Sequence, residues 1–387
     1  MISDFLVRLA SLATNGIITQ HEYTTIYNIV IEADRRQKSS IYKGLAEKLN
    51  EQYKDKLVHE HVGCYHYFGY PITPQTEVAA YMSKRINNMK LSPMHRCYEE
   101  LNKIETDGIE VYNLSTAQPT IETDSSYYEA LRKLEKSVNG YSDYRGLECL
   151  REEFAKYYNE KIDKNKYKEN NIQITLGASD AIINLLMAIC DEGDSVAILE
   201  PFFCDYKIYC EMLNINIIYI SLEELNKDLK VPNNCKAILF SNPNNPTGYV
   251  LNKEEIEIII DIASKNNIYI ISDEVYNELI YEKFISFALM EYEKIIIVDS
   301  VSKKFNNCGA RIGAIITKNK EILMNISKIY DSRISISNTE QLATTNMLKN
   351  RDKIFKCNLD IYKEKIEKVE EFLKNQKIIK YKKPKGG

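Results

Sequence analysis

Seven short apolar runs recur between residues 171 and 317: "NIQITLG" (171–177), "SVAILE" (195–200), "NINIIYI" (214–220), "KAILFSN" (236–242), "IYIISDE" (268–274), "KIIIVDS" (294–300) and "IGAIIT" (312–317). Continuous runs of this length, rich in β-branched residues, suit strands buried on both faces. The stretches between them, such as "NKEEIEIIIDIASKNN", repeat apolar residues at helical intervals. This alternation predicts a layered α/β domain, a mostly parallel sheet of about seven strands covered by helices. Open sheets of this kind place ligands beyond the carboxyl ends of their strands, and that is where polar and small residues gather in this chain.

The flanks read differently. Residues 1–88 have a helical pattern: "ITQHEYTTIYNIVIEADRRQ" opens with Thr19 and Glu22 at capping-box spacing, and "SSIYKGLAEKLNEQY" follows as a second helix. After residue 318 the chain turns helical and lysine-rich as far as "KYKKPKGG". All five histidines lie in the first 95 residues, so acid–base chemistry further on must use lysine, tyrosine, a carboxylate or a cofactor. The net charge of -4 and the balance of ten basic against nine acidic side chains in residues 1–88 predict no nucleic-acid partner. No apolar run is long enough to span a membrane, and the N-terminus lacks a basic leader. Nine cysteines without any Cys-x-x-Cys pattern suit reduced thiols and a cytoplasmic location. His59, His61, Cys64 and His66 in "HEHVGCYHYF" have a zinc-like spacing, but a helical cap explains them more simply, and no metal is expected.

Four segments carry candidate chemistry. Gly177, Ala178 and Ser179 stand between a strand and an amphipathic helix, a turn that aims backbone N–H groups at an anion, although purely structural turns use the same residues. In "SNPNNPTG" (241–248) the Asn-Pro steps make a rigid turn that holds Asn245 at the mouth of the sheet, where its amide can donate to an oxyanion. "SDEVY" ends a strand on Asp273, with Tyr276 three residues on. Adjacent strand residues face opposite ways, so Asp273 and Glu274 cannot share a site, and Asp273 can also be read as a helix N-cap. In "DSVSKKFNNCGARIG" (299–313), Ser300 closes a strand, Lys303 follows three later and Arg311 eight after that, an order that suits a phosphate beside an amine.

"GASDA", "NPNNPTG", "SDEVY" and "SVSKKFNNCGARIG", in this order, resemble the class I/II aminotransferase family, fold-type I pyridoxal-phosphate enzymes of the aspartate-aminotransferase type. The resemblance runs from about residue 90 onward. It implies that Lys303 forms the Schiff base with pyridoxal 5'-phosphate, leaving Lys304 as a surface charge. Asp273 would pair with the pyridine nitrogen, Asn245 and Tyr276 with the phenolic oxygen. Ser300, Arg311, Ser179 and the Gly177–Ala178 backbone would hold the phosphate, and Phe203 would stack on the ring. Tyr141 matches a tyrosine that reaches the partner subunit's phosphate, which implies a homodimer. Arg333, four residues before Ser337, sits where an arginine clamps the side-chain carboxylate of a dicarboxylic substrate, so aspartate or glutamate is an expected amino donor for a 2-oxo acid.

On this reading residues 89–140 contribute to the small domain and the dimer, 141–318 form the cofactor-binding large domain, and 319–387 form a small domain without its C-terminal part. That part carries the family's α-carboxylate-binding arginine. Residues 1–88 are extra to the family, and Ala117 in "LSTAQPT" stands where the family usually has glycine. The same covalent chemistry also serves a C–S β-lyase, and the fold alone serves a cofactor-sensing regulator or an inactive homologue; products and DNA binding discriminate among them.

Overall fold

The computed structural model describes residues 86, 89–106, 118–134, 140–374, 376 and 381–387. The chain divides into two units, Met1–Asn88 and Met89–Gly387, and the second holds the elements that follow. Ile86 apart, the reading of residues 1–88, with the His59, His61, Cys64 and His66 cluster, lies outside the described residues, as does Ala117.

In chain order the elements are helices α1 (Pro93–Thr106), α2 (Ser125–Arg132) and α3 (Glu148–Lys161), strand β1 (Ile172–Thr175), α4 (Ala178–Ile189), β2 (Ser195–Glu200), α5 (Asp205–Met212), β3 (Asn216–Ser221), β4 (Cys235–Ser241), α6 (Lys253–Asn266), β5 (Tyr269–Asp273), β6 (Ile295–Ser300), the single turn α7 (Val301–Lys304), β7 (Gly313–Ile316), and then α8 (Lys320–Ser332), α9 (Asn338–Lys349) and α10 (Arg351–Lys374). All seven expected strands are present in one sheet, ordered β1-β7-β6-β5-β4-β2-β3. The run β6-β5-β4-β2-β3 is parallel, and only β7 runs against its neighbours.

The sheet separates two apolar layers because successive strand residues face opposite ways. Ile238, Phe240, Ile270, Ile295 and Ile297 pack into one layer, while Leu239, Ile271, Ile296 and Val298 pack into the other. Strand β3 departs from the expectation of burial on both faces: it is the edge strand, with Asn216 exposed and Tyr219 46 % exposed. Helix α6 begins where side chains satisfy its free N–H groups. Asn252 caps α6 by accepting from Glu255 N at 3.0 Å, and Glu255 accepts from Asn252 N at 2.8 Å.

The reversed strand positions the site. Because β7 runs antiparallel between β1 and β6, its first residue, Gly313, pairs with the last residues of both, Thr175 and Ser300. A Cβ at Gly313 would lie 2.7 Å from the Gly177 carbonyl carbon and 2.8 Å from the Asp299 oxygen, so glycine lets the three segments close up. Among the described residues no helix is long and apolar enough to cross a membrane. No group of three or more His, Cys, Asp or Glu side chains among them is arranged to hold a metal ion.

Candidate active site

The strand ends bring the expected residues to one edge of the sheet. Ser241 at the end of β4 pairs in register with Asp273 at the end of β5, and Asp273 with Val298 near the end of β6. Asp273 is buried; its Oδ2 accepts from the Tyr206 hydroxyl at 2.7 Å and its Oδ1 from Val275 N at 3.3 Å. A turn follows Asp273, so the N-cap reading does not apply. Burial raises its carboxyl from 3.8 to about 6, against the lowering pull of the Tyr206 hydrogen bond. Glu274 points the other way, accepting from Ser286 Oγ at 2.6 Å and Phe287 N at 2.9 Å.

The Asn245 amide reaches the Tyr276 hydroxyl at 3.5 Å, while its backbone N–H donates to Ser241 Oγ at 2.9 Å and fixes the turn. Residues 384–387 lie behind that turn, with Lys385 N donating to Gly248 O at 2.8 Å. Burial, and then the negative charge of Asp273, push the Tyr276 phenol well above its ordinary range, so it is a neutral hydrogen-bond donor at physiological pH.

An anion cradle lies at the other side of this edge. Gly177 caps α4 with φ 85°, a conformation that favours glycine, and a Cβ there would run into the Arg311 guanidinium. Arg311 is itself left-handed (φ 51°) and donates from Nη1 to Cys308 O at 3.0 Å and from Nη2 to Leu176 O at 3.1 Å. The first-turn N–H groups of α4, next to Ala178 and Ser179, open beside it. Ser300 is deeper than expected, at 1 % exposed: its Oγ accepts from Ser302 N at 3.1 Å, lies 2.8 Å from Ser302 Oγ and donates to Ile312 O at 3.1 Å. Ser302, which the sequence reading passed over, is the less buried of the two hydroxyls, at 8 %.

Lys303 is half-buried on α7. Burial lowers its ammonium pKa, Cys308 and Asp273 pull it back up, and Arg311 lowers it again, so the carboxylate and the arginine both act on this amine. The expectation that Lys304 is a surface charge is overturned. It is 0 % exposed, with its ammonium 2.5 Å from Asp299 Oδ2. A lysine reads as exposed because solvation normally wins; here a buried carboxylate five residues earlier compensates the charge.

The remaining site residues are placed as follows. Phe203 stands edge-on to Tyr206, with ring centroids 5.6 Å apart. Tyr141 is 84 % exposed, on a loop held by Asn338 Nδ2 donating to Gly140 O at 2.7 Å and by Ser335 Oγ accepting from Ser142 N at 3.3 Å. Arg333 is ion-paired within its own chain to Asp180 and lies 4.1 Å over the Tyr330 ring. Tyr206 and Asp180 were not singled out from the sequence; a buried tyrosine reads as core, and a first-turn acid reads as dipole compensation.

These residues fit pyridoxal 5'-phosphate. A buried carboxylate oriented by the Tyr206 hydroxyl suits a protonated ring nitrogen, a phenol and an amide converge for an oxygen, and an arginine beside a glycine-capped helix suits a phosphate. Residues 109–382 match the family model described as aminotransferase class I and II. The chain belongs to the class I and II aminotransferases. The aspartate aminotransferase of Thermotoga maritima is 32 % identical over 272 residues, 67 % of this chain and 71 % of its own length. A crystal structure of an aspartate aminotransferase from that organism covers 79 % of this chain and 83 % of its own with a TM-score of 0.72 at 29 % identity. The Pyrococcus horikoshii aspartate aminotransferase is 29 % identical over 79 % of this chain and 80 % of its own. Class I and II aminotransferases use pyridoxal 5'-phosphate and take amino acids and 2-oxo acids as substrates. With relatives of this kind the lyase and regulator readings are not favoured.

The Asp273 environment predicts a pH signature for this aminotransferase without its cofactor. Between 3.8 and about 6 the folded chain keeps a proton that the unfolded chain releases. This contribution to stability is fully present below 3.8 and is lost as pH rises through about 6. Urea unfolding of the cofactor-free Asp273→Asn variant should therefore match wild type near pH 4 and exceed it by about 3 kcal/mol at pH 8.

Proposed function

We propose that this aminotransferase moves an amino group from a dicarboxylic amino acid, aspartate or glutamate, to a 2-oxo acid, with Lys303 as the amine that holds the cofactor and carries the proton. The supporting observation is a half-buried lysine acted on by a buried carboxylate, Asp273, and by an arginine, Arg311, at the mouth of a helix. Pyridoxal phosphate supplies, when bound, an aldehyde for a primary amine and a ring that takes up the electron pair left by the departing α-proton.

The chain's own groups then have separable tasks. Lys303, with its ammonium pKa lowered chiefly by burial, would offer Nζ as the base that takes the α-proton and returns it one carbon away. Asp273, oriented by the Tyr206 hydroxyl, would pair with the ring nitrogen and favour its protonated form. Tyr276 and Asn245 would donate to the phenolic oxygen, and Phe203 would pack against the ring. Arg311, Ser179, Ser300 and the Gly177–Ala178 backbone would hold the phosphate, with Ser302 beside them.

Tyr141, exposed and held outward at both flanks, suits a contact with a second copy, which supports a homodimer. The unpaired thiols of buried Cys210 and Cys235 suit a cytoplasmic setting. Dicarboxylate selectivity is supported by the Thermotoga and Pyrococcus relatives, both aspartate aminotransferases, and Arg333 can supply it only by sharing its guanidinium between Asp180 and the substrate. A Methanocaldococcus jannaschii relative at 31 % identity is a (5-formylfuran-3-yl)methyl phosphate transaminase, so a substrate screen must extend beyond amino acids' usual acceptors. Purified holoenzyme should give borohydride-fixed cofactor on the Lys303 peptide. In an amino-donor screen, aspartate or glutamate should outpace alanine, with loss of the preference in Arg333→Gln. A donor profile without acidic preference overturns the substrate reading, and fixation on another residue overturns the assignment of Lys303.

A further inference from the structure

Four neighbouring pairs of residues divide between the site and a buried polar layer behind it. Asp273, Tyr276, Ser300 and Lys303 belong to the site; Glu274, Asn277, Asp299 and Lys304, each adjacent in sequence to one of these, are 0–1 % exposed. Three of the latter bond to one another. Lys304 Nζ donates to Asp299 Oδ2 at 2.5 Å and to Asn277 Oδ1 at 3.3 Å, and lies 4.2 Å over the Tyr157 ring. The Tyr158 hydroxyl donates to Asp299 Oδ2 at 3.0 Å and accepts from Asn277 Nδ2 at 3.2 Å. Asp299 Oδ1 accepts from Ser300 N at 2.7 Å, and Asn358 of α10 donates to Lys304 O at 2.9 Å.

The doublet Lys303-Lys304 makes this layer consequential. Helix α7 is a single turn of four residues, too short to hold its own geometry. Successive side chains on a helix diverge by about 100°, so a small rotation of α7 would present the second lysine to the site in place of the first. The Lys304 ammonium cannot leave Asp299 without leaving that buried carboxylate uncompensated in the interior. We infer that the Asp299–Lys304 ion pair is a positioning device that fixes the rotation of α7 and so selects which of two adjacent lysines faces the cofactor site. Lys304 is thus a positioning residue, acting through Lys303. The inference rests on the reading of Lys303 given above.

The test uses Lys304→Met, which keeps the length of the side chain without its charge, and the double variant Asp299→Asn/Lys304→Met, which leaves no unpaired charge. The double variant should melt within a few degrees of wild type. Its kcat should nevertheless fall about tenfold or more, because small misplacements of a reacting group are costly, with KM changing less than twofold. In the cofactor-free protein, trace acetic anhydride labelling of Lys303 should change severalfold at fixed pH. A double variant with wild-type kcat and wild-type Lys303 labelling overturns the inference, since the pair would then only neutralise itself. If that variant does not fold, Tyr158→Phe loosens Asp299 without unpairing a charge and carries the same labelling test: altered labelling supports the inference and unchanged labelling overturns it. Wild-type holoenzyme without borohydride-fixable cofactor on Lys303 overturns the reading of that lysine and this inference together, whereas fixation in wild type beside a silent double variant overturns only the inference.

Discussion

The Lys303→Ala variant is expected to lose about 10^4-fold or more in transamination rate, because it removes both a nucleophilic amine and a proton carrier. The loss should fall on kcat, since the cradle of Arg311, Gly177 and Ser179 and the Asp273 carboxylate remain to hold cofactor. Borohydride should no longer fix cofactor to the 299–313 peptide even though the neighbouring Lys304 is present, because its ammonium is fully buried against Asp299. Small exogenous amines should restore part of the rate, entering the space the side chain vacates and serving as the base. Single-turnover rates, with and without added methylamine, measure both expectations. Undiminished turnover in Lys303→Ala would remove this lysine from the mechanism.

The second large effect is on stability. Asp299→Ala leaves an ammonium at 0 % exposure with Asn277 as its one remaining hydrogen-bond acceptor among the described residues and should cost about 3–5 kcal/mol, the usual result of removing one partner of a buried ion pair. The cost should depend on pH in a defined direction. Already in the wild-type chain burial lowers the Lys304 pKa while Asp299 raises it. Without Asp299 the lowering by burial is opposed by Glu278 alone, so the Lys304 pKa of the folded variant falls further below the 10.5 of the unfolded chain. The unfolded state then binds more protons, and stability increases as pH rises toward that value. Denaturant unfolding at pH 7 and pH 9.5 should show the variant closer to wild type at the higher pH. Adding Lys304→Met should recover most of the loss, since no charge is then left unpaired. A cost below about 1 kcal/mol at pH 7 would mean that water reaches this pair.

Much of this was legible in the sequence. All seven strands, the helices between them and the order of the four motifs could be read because each depends on local spacing: β-branched runs for strands, a 3.6-residue period for their covers, and strand-end polar residues for the site. The meeting of Asp273, Tyr276 and Asn245 followed from the parallel sheet, since residues at the ends of neighbouring parallel strands share one edge. Other points depended on tertiary packing. Arg333 was read for a substrate carboxylate, yet it is paired with Asp180, a residue 153 positions away that only the packing of α8 against α4 brings near. The exposed face of β3 could not be foreseen from a run that reads like that of a central strand, because edge position is a property of strand order.

The lysine doublet marks the boundary between the two kinds of knowledge. Sequence by itself determined that an amine must follow the end of β6, three residues after Ser300 and eight before Arg311, and that an α/β sheet would carry it to the ligand edge. Which of the two neighbours is buried was decided by tertiary structure. The carboxylate of Asp299, the amide of Asn277 and the rings of Tyr157 and Tyr158 come from three segments, and only their convergence provides enough compensation to take one ammonium fully out of water. Desolvation of a charge depends on every group around it, and no local pattern encodes that sum.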